Sequence, residues 1–485
     1  MLGRLKAKYQ SLPLIVRASL WFIFCSFMQK GITLLTTPIF TRLMSTAEYG
    51  QFSVFNSWYS IVEVFVSLEL SKGVYSQGIV KFSEDQKVFS STFQGLNFAL
   101  LLFWTIIYWL FRGFFNQLLK LTTVQMLCML AMIWACAAYA LWATEKQTNF
   151  NYRSVVIVTL LTSILKPLVG ILLVLKAADK VTARIFGLML VEVIAYSGLC
   201  IVQILRGKKL FSKKYWIYAI SFNIPLIPHY LSQIVLDTSD RIMIDNLVSS
   251  SAAGIYSLAY SVSMIMRLLN TALNQTIKPW LFKRIKSGQT DAIAPVSLVA
   301  LSVVAVGNLL LIAFAPEAIS LFAPPSYYEA IWIVPPVTIS VFFLYMYNFF
   351  SCFEFYFEEK KFIGIASVAA ALLNVGLNAA FIPVFGYIAA AYTTLFCNAL
   401  YTAVHYCLMK MALRKHMKGI KVYNMRNIAF ISILFIAAGF ILMALYPYSV
   451  LRYSLIAAAL VVSFATRKFW FKKFNMIYKT LREVS

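Results

Sequence analysis

Stretches of about 20 apolar residues recur along this chain from one end to the other, and nothing else in the sequence restricts the fold as much. A helix of that length rises about 30 Å, the thickness of a bilayer's hydrocarbon core. Fourteen such spans can be drawn, at about 14–38, 49–70, 88–111, 121–142, 154–175, 185–205, 215–237, 252–275, 293–315, 330–353, 362–383, 387–409, 428–446 and 449–466. Hydrophobic residues make up 61% of the 485 positions and charged residues only 13%. A water-soluble domain does not have this balance, and the alternating pattern of a membrane β-barrel is absent. The expected fold is therefore all-α and integral to a membrane, with about 14 transmembrane helices.

The charges give the orientation. The net charge of +25 would suit a nucleic-acid binder if the basic residues were clustered on one domain. Instead they lie in short loops between spans, as the positive-inside rule requires. With the N-terminus inside, 32 of the 43 Lys and Arg fall on the cytoplasmic side, counting Arg17 at the start of the first span, and 8 on the external side, counting Arg452 at the start of the last, leaving Lys30, Lys166 and Arg267 deep within spans. Both termini are then cytoplasmic, with a basic tail after the last span, and the protein is expected in the cell membrane with no nucleic-acid partner. The first span is longer than a signal-peptide core, and no small-residue cleavage site follows it.

An internal repeat organises the spans. At an offset of 204, "LMSTAEYGQFSVFNS" (43–57) aligns with "LVSSSAAGIYSLAYS" (247–261), matching Leu43 to Leu247, Ser45 to Ser249, Gly50 to Gly254, Ser53 to Ser257 and Ser57 to Ser261. Each stretch joins an odd span to an even one, with the glycine expected to open the second helix. Six spans separate the copies, so the repeat is parallel. Two six-helix lobes follow, related by a pseudo-two-fold axis along the membrane normal: 1–205 and 206–412, with 413–485 supplying two further helices and the tail. Transporters built this way hold substrate between their lobes near the bilayer midplane.

Ionisable residues inside the spans are the candidate site, because charges at that depth usually face a cavity or a partner. Arg267 is mid-span, and the 204-residue offset carries Glu63 onto it. Glu63 is the expected partner of Arg267 in the empty carrier. Lys166 lies near the centre of its span, followed by Pro167, which is expected to kink the helix. Lys30 lies in the outer half of the first span, where a lysine can also snorkel to the interface. His229 sits beside Pro225 and Pro228, where a broken helix would expose polar backbone. Glu63, Glu192 and Asp237 are candidates for ion coupling, and His405 is a weaker candidate. Glu69 and Glu354 are expected to snorkel at cytoplasmic ends. The cluster of Asp237, Asp240, Arg241 and Asp245 reads as a solvated helix end. The seven cysteines form no metal or disulfide pattern, no phosphate-binding GxxxxGK[ST] loop occurs, and the external loops are too short to carry a catalytic domain. Neither a cofactor nor enzymatic activity is expected.

The stretches "TPIFTRLMSTAEYGQFS", "PHYLSQIVLDTSDRIMIDNLVSSSAAGIYSLAYS" and "LLNVGLNAAFIPVFGYIAAAYTT" resemble polysaccharide-repeat-unit flippases of the Wzx type. That family shares a superfamily with multidrug-and-toxin exporters and the lipid II flippase. The resemblance covers most of the chain, and its motifs are structural junctions. It implies alternating access and a cationic cavity. It also implies transfer of undecaprenyl-diphosphate-linked oligosaccharide from the cytoplasmic to the outer leaflet, for O-antigen, capsule or exopolysaccharide synthesis, with a polymerase complex as a further partner. The basic set, Arg267, Lys166 and Lys30, suits a diphosphate: Arg offers a planar fork to phosphate oxygens and Lys a point charge. An inside-negative potential would favour outward movement of the anion by about 2.3 kcal/mol per net charge per 100 mV. A cation-coupled drug exporter of the same superfamily remains open and would rely on the acidic residues.

Overall fold

The computed structural model describes residues 14–465 and 467. The basic segments expected at the two chain ends lie mostly outside these residues. Among the described residues every regular element is helical. The chain divides into two compact units, with the division between Ile242 and Met243.

The first unit contains α1 (Leu14–Leu43), α2 (Thr46–Ser67), the short α3 (Val74–Lys81), α4 (Gln86–Leu110), the short α5 (Arg112–Leu119), α6 (Thr123–Thr148), α7 (Tyr152–Val174), α8 (Lys180–Gly207) and α9 (Lys213–Asn223). A 3₁₀ turn (Ile224–Leu226) then leads into α10 (Ile227–Leu247), which runs across the division. The second unit continues with α11 (Ser250–Ser263), α12 (Ile265–Ser287), α13 (Ile293–Ala313), α14 (Ala315–Phe322) and a 3₁₀ segment (Pro325–Trp332). It ends with α15 (Val334–Tyr356), α16 (Lys360–Phe385), α17 (Ala389–His416), α18 (Met425–Ala444) and α19 (Ser449–Ala465).

Eleven helical segments among the described residues are long and apolar enough to cross a membrane. The count of fourteen drawn from the sequence also included the regions of α2, α17 and α19. These form helices; α2 and α17 are long enough but less apolar, and α19 is shorter. The chain is a multi-pass membrane protein, and its surface shows why. On α4, Phe98, Leu102, Phe103, Ile106, Trp109 and Leu110 are all exposed, and they recur at helical spacing along one face. In water such a stripe would cost about 25 cal/mol per Å². Against lipid tails it costs nothing.

The repeat junctions show what starts each second helix. Ser45 caps α2 in a full capping box: its hydroxyl accepts from the Glu48 N–H, and the Glu48 carboxylate accepts from the Ser45 N–H. At the matching position, Ser249 caps α11 by accepting from the Ala252 N–H. The serines therefore open these helices. Gly50 and Gly254, expected in that role, instead lie buried inside the helices they were assigned to start.

Packing within the first unit is tightest around α8, which lies against α6, α7, α4 and α1–α2. At its N-terminal end Arg184 is clamped between Phe40 and Phe52, with guanidinium-to-ring distances of 3.7 and 3.6 Å, and the Lys180 ammonium donates to the Leu43 carbonyl at 2.8 Å. At its other end Gly207 lets the helix meet α4, since a Cβ there would lie 2.2 Å from the Lys87 carbonyl oxygen. In the second unit, α15 is the most enclosed helix. Val337, Phe342, Tyr345 and Phe353 are completely buried on it, packed among α13, α17 and α18.

Candidate functional site

Three of the mid-span groups picked from the sequence belong to the first unit. Lys166 is on α7 and Glu192 on α8, and the packing of these helices brings them into an ion pair, with Nζ 2.6 Å from Oε1. The Lys166 ammonium also lies over the Tyr196 ring, 5.6 Å from its centre, one turn further along α8. Tyr196 stacks on Tyr139 at 4.5 Å, and both phenols are fixed: Tyr196 donates to Thr162 at 3.2 Å, and Tyr139 shares a 2.5 Å bond with Thr159. The second oxygen of Glu192, Oε2, is buried with no hydrogen-bond partner. Glu63 on α2 is half-buried and close enough to Glu192 for the two carboxylates to oppose each other's charge. Tyr59, one turn earlier on α2, lies by Cys136.

The sequence treated Lys166 as a substrate cation and Glu192 as an ion-coupling acid. The structure makes them one unit of charge, a buried carboxylate holding an ammonium whose side chain is 26% exposed. Pro167 does not break α7, which is helical throughout from Tyr152 to Val174. Its local effect is chemical, because it has no N–H for the Ser163 carbonyl one turn back.

Arg267 belongs to the second unit and lies in the first turn of α12, directly after a break at Met264. Its N–H bonds to the Met264 carbonyl at 3.0 Å, three residues back instead of four, and its Nη1 reaches Met264 Sδ at 3.5 Å. No proline or glycine marks this break. The nearby serines explain it: Ser261 and Ser263 turn their hydroxyls back onto the Ser257 and Ala259 carbonyls, a habit that bends helices.

The other candidates fall out as follows. Lys30 is exposed on α1. His229 is half-buried in the first turn of α10, immediately after the 3₁₀ break that Pro225 and Pro228 were expected to produce, with its ring 5.9 Å from Tyr230. Asp237, Asp240, Arg241 and Asp245 are not at a solvated end. They lie within α10, with Asp240 fully buried, and Arg241 Nη1 donates to the Asp237 carbonyl at 2.5 Å. No cluster of three or more metal-ligating side chains occurs among the described residues.

Glu69 and Glu354 do not snorkel. Glu69 is 4% exposed and pairs with Lys72 at 2.8 Å. Glu354 is 1% exposed and contacts His405. Sequence reasoning also missed a buried polar network in the first unit. Gln94 donates to Gln203 at 2.6 Å and to the Ala138 carbonyl at 3.0 Å, Gln203 in turn donates to Glu145, and Tyr75 donates to Ser90 at 2.8 Å. Glutamines on α4 and α8 in otherwise apolar spans were the available signal.

Outside the spans, Glu359 accepts from Lys415 at 2.7 Å and lies 3.0 Å from His416 Nε2. These bonds hold its carboxyl below the usual range. At the opposite loop end, burial and the neighbouring Glu329 carboxylate push the Tyr387 phenol up.

The fold and the buried charges define an integral membrane protein built of packed helices with ion pairs inside its spans. Residues 15–284 match the model of the polysaccharide biosynthesis protein family, and the chain belongs to that family. It is 23% identical over 212 residues to an Lsg-locus protein of Haemophilus influenzae. That match takes in 41% of this chain, which spans about half (51%) of the relative. It is 20% identical over 375 residues to an uncharacterized membrane protein of the same organism, covering 75% of this chain and 89% of the other. Among solved structures it shares the fold of the lipid II flippase MurJ in an inward closed conformation, with a TM-score of 0.69 and 14% identity, covering 92% of this chain and 98% of that one. It also resembles an inward-facing multidrug resistance MATE transporter of the MOP superfamily, with a TM-score of 0.61 and 12% identity over 80% of this chain and 96% of that one.

Proposed function

We infer that the protein is a flippase for lipid-linked oligosaccharide. It moves an undecaprenyl-diphosphate-bound repeat unit to the outer leaflet by alternating access, for a cell-surface polysaccharide such as O-antigen or capsule. Membership in a polysaccharide biosynthesis family and the fold of a lipid II flippase support this reading. The observation that carries it is Lys166: a mid-span ammonium, braced by Glu192, whose side chain is still about a quarter exposed. A cation in that position can exchange a carboxylate contact for a phosphate oxygen without ever being desolvated alone. Arg267, beside its helix break, is a second phosphate-contacting candidate, and the Tyr139–Tyr196 stack offers an aromatic face to sugar rings.

The test is movement of a labelled undecaprenyl-diphosphate oligosaccharide across proteoliposome membranes. Wild type should move it. Lys166→Ala and Arg267→Ala should lower the rate at least tenfold while the protein still inserts, and Arg267→Lys should retain part of it. Wild-type rates in both alanine variants, or no movement above protein-free vesicles, would refute the reading. The runner-up is a cation-coupled multidrug exporter, favoured by the nearness of Glu63 and Glu192 in one unit and by the MATE-like fold. It requires H⁺- or Na⁺-driven efflux of a cationic dye that Glu63→Gln abolishes.

A further inference from the structure

Helices α8 and α17 are both 28 residues long. Aligned end to end, Glu192 takes the position of Tyr401 and Tyr196 that of His405. In the first unit this register carries the Lys166–Glu192 pair. In the second it carries a different pair, with no lysine in it. His405 is 0% exposed, and its Nδ1 lies 2.8 and 2.9 Å from the two oxygens of Glu354 on α15, itself 1% exposed. The imidazole is flanked edge-on by Tyr347 at 4.6 Å and Tyr401 at 4.4 Å. The Tyr401 hydroxyl is held in turn by Ser367 of α16 at 3.1 Å. The far ring nitrogen, Nε2, is buried and has no hydrogen-bond partner.

We propose that His405 and Glu354 form a proton-binding site, and that the proton held there is exchanged during the transport cycle. This second clause rests on the reading of the protein as a transporter. With one proton between Nδ1 and the carboxylate, the pair is neutral as a whole. Removing that proton leaves a lone carboxylate in an apolar interior, and adding a second leaves a lone imidazolium. Either is expensive unless water enters. The proton count therefore changes only when the seam between α15 and α17 opens, and that coupling turns a buried pair into a carrier of protons. The step is simple protonation: an H⁺ joins Nδ1 or the carboxylate, its release reverses this, and no other bond changes. Nε2, buried without a partner, is the ring atom left to meet water once the seam opens.

Among the described residues, the groups that lie against the pair are uncharged: Tyr347 of α15 and Tyr401 of α17 flank the imidazole, and the Ser367 hydroxyl of α16 meets Tyr401. Glu354 lies two residues before the end of α15, the end that the loop charges assign to the cytoplasm. His416, eleven residues beyond His405 on the same helix face and about 16 Å away, makes a separate and exposed pair with Glu359.

The chain has three histidines, so ¹⁵N-histidine labelling gives three imidazoles, assigned with His229→Asn and His416→Asn. In nanodiscs without substrate, the His405 Nδ1 signal should show a proton strongly bonded to a carboxylate, and Glu354→Gln should abolish that signature. A His405 spectrum unchanged by Glu354→Gln overturns the site. In proteoliposomes, a pH gradient should change the wild-type transport rate, and the ratio of rates with and without the gradient should fall to one in His405→Gln and in Glu354→Gln. Variants that respond to the gradient as wild type does overturn the coupling. If no lipid-linked oligosaccharide moves in any preparation, the flippase reading fails, while the spectra still decide the proton site.

Discussion

Replacing Lys166 with methionine isolates the value of the first unit's charge pair. Glu192, whose side chain is 7% exposed, would lose the ammonium 2.6 Å away. Two outcomes are open to it. It can stay ionised without a partner, which costs about 3–5 kcal/mol, or it can take up a proton. At pH 7, protonating a carboxyl whose value in water is about 4.3 costs about 3.7 kcal/mol at 1.36 kcal/mol per pH unit. The cheaper route sets the loss, so the penalty is about 3–4 kcal/mol at pH 7 and falls to about 1 kcal/mol at pH 5. Glu192→Gln should cost less, about 1–2 kcal/mol, because Lys166 is a quarter exposed and keeps some water. In the double variant Lys166→Met/Glu192→Gln no buried charge remains, so it should be more stable than Lys166→Met alone. The assay is thermal unfolding of the purified protein in detergent at pH 5 and pH 7.5. The reasoning fails if the Lys166→Met deficit does not depend on pH, or if the two single losses simply add in the double variant.

Three further outcomes follow from the structure. Ser45→Ala and Ser249→Ala should each lower stability by about 1 kcal/mol through loss of a helix cap, with Ser45 the larger because its capping box is complete; thermal midpoints of the two variants read this. The Glu359 carboxyl is held low by Lys415 and His416, so the stability it contributes is present above the ordinary carboxyl value and is lost as pH falls through the lowered one. The gap in thermal midpoint between wild type and Glu359→Gln should accordingly be open at pH 6 and close toward pH 3. Single cysteines at 208 and 418 should label from the cytoplasmic side and those at 45 and 249 from outside, and labelling of 45 and 249 from opposite faces would refute the parallel repeat.

The sequence by itself determined the solvent and the helical class, and it marked two matching helix junctions. Apolar runs of bilayer length leave a helix as the only way to satisfy every backbone hydrogen bond in lipid, and no tertiary information is needed to see that. The serines at 45 and 249 were legible as matched positions at a repeated junction, although the glycines were expected to open the helices; the caps themselves are local, a hydroxyl meeting an N–H three residues on. The prolines at 225 and 228 were legible as a break for the same reason. What the sequence could not decide was which charge meets which. Glu192 is 26 residues from Lys166, and Glu354 is 51 from His405; neither separation falls on a local helical spacing. These pairs exist only because α7 packs on α8 and α15 packs on α17. The same residues read singly looked like a substrate cation, an ion-coupling acid, a snorkelling glutamate and a weak histidine candidate. The break before Arg267 was hidden as well, since serine hydroxyls bend a helix only when they turn back on its carbonyls, a choice of rotamer that packing makes. Lipid fixes where a helix must be, and the neighbouring helix fixes what its buried charges are worth.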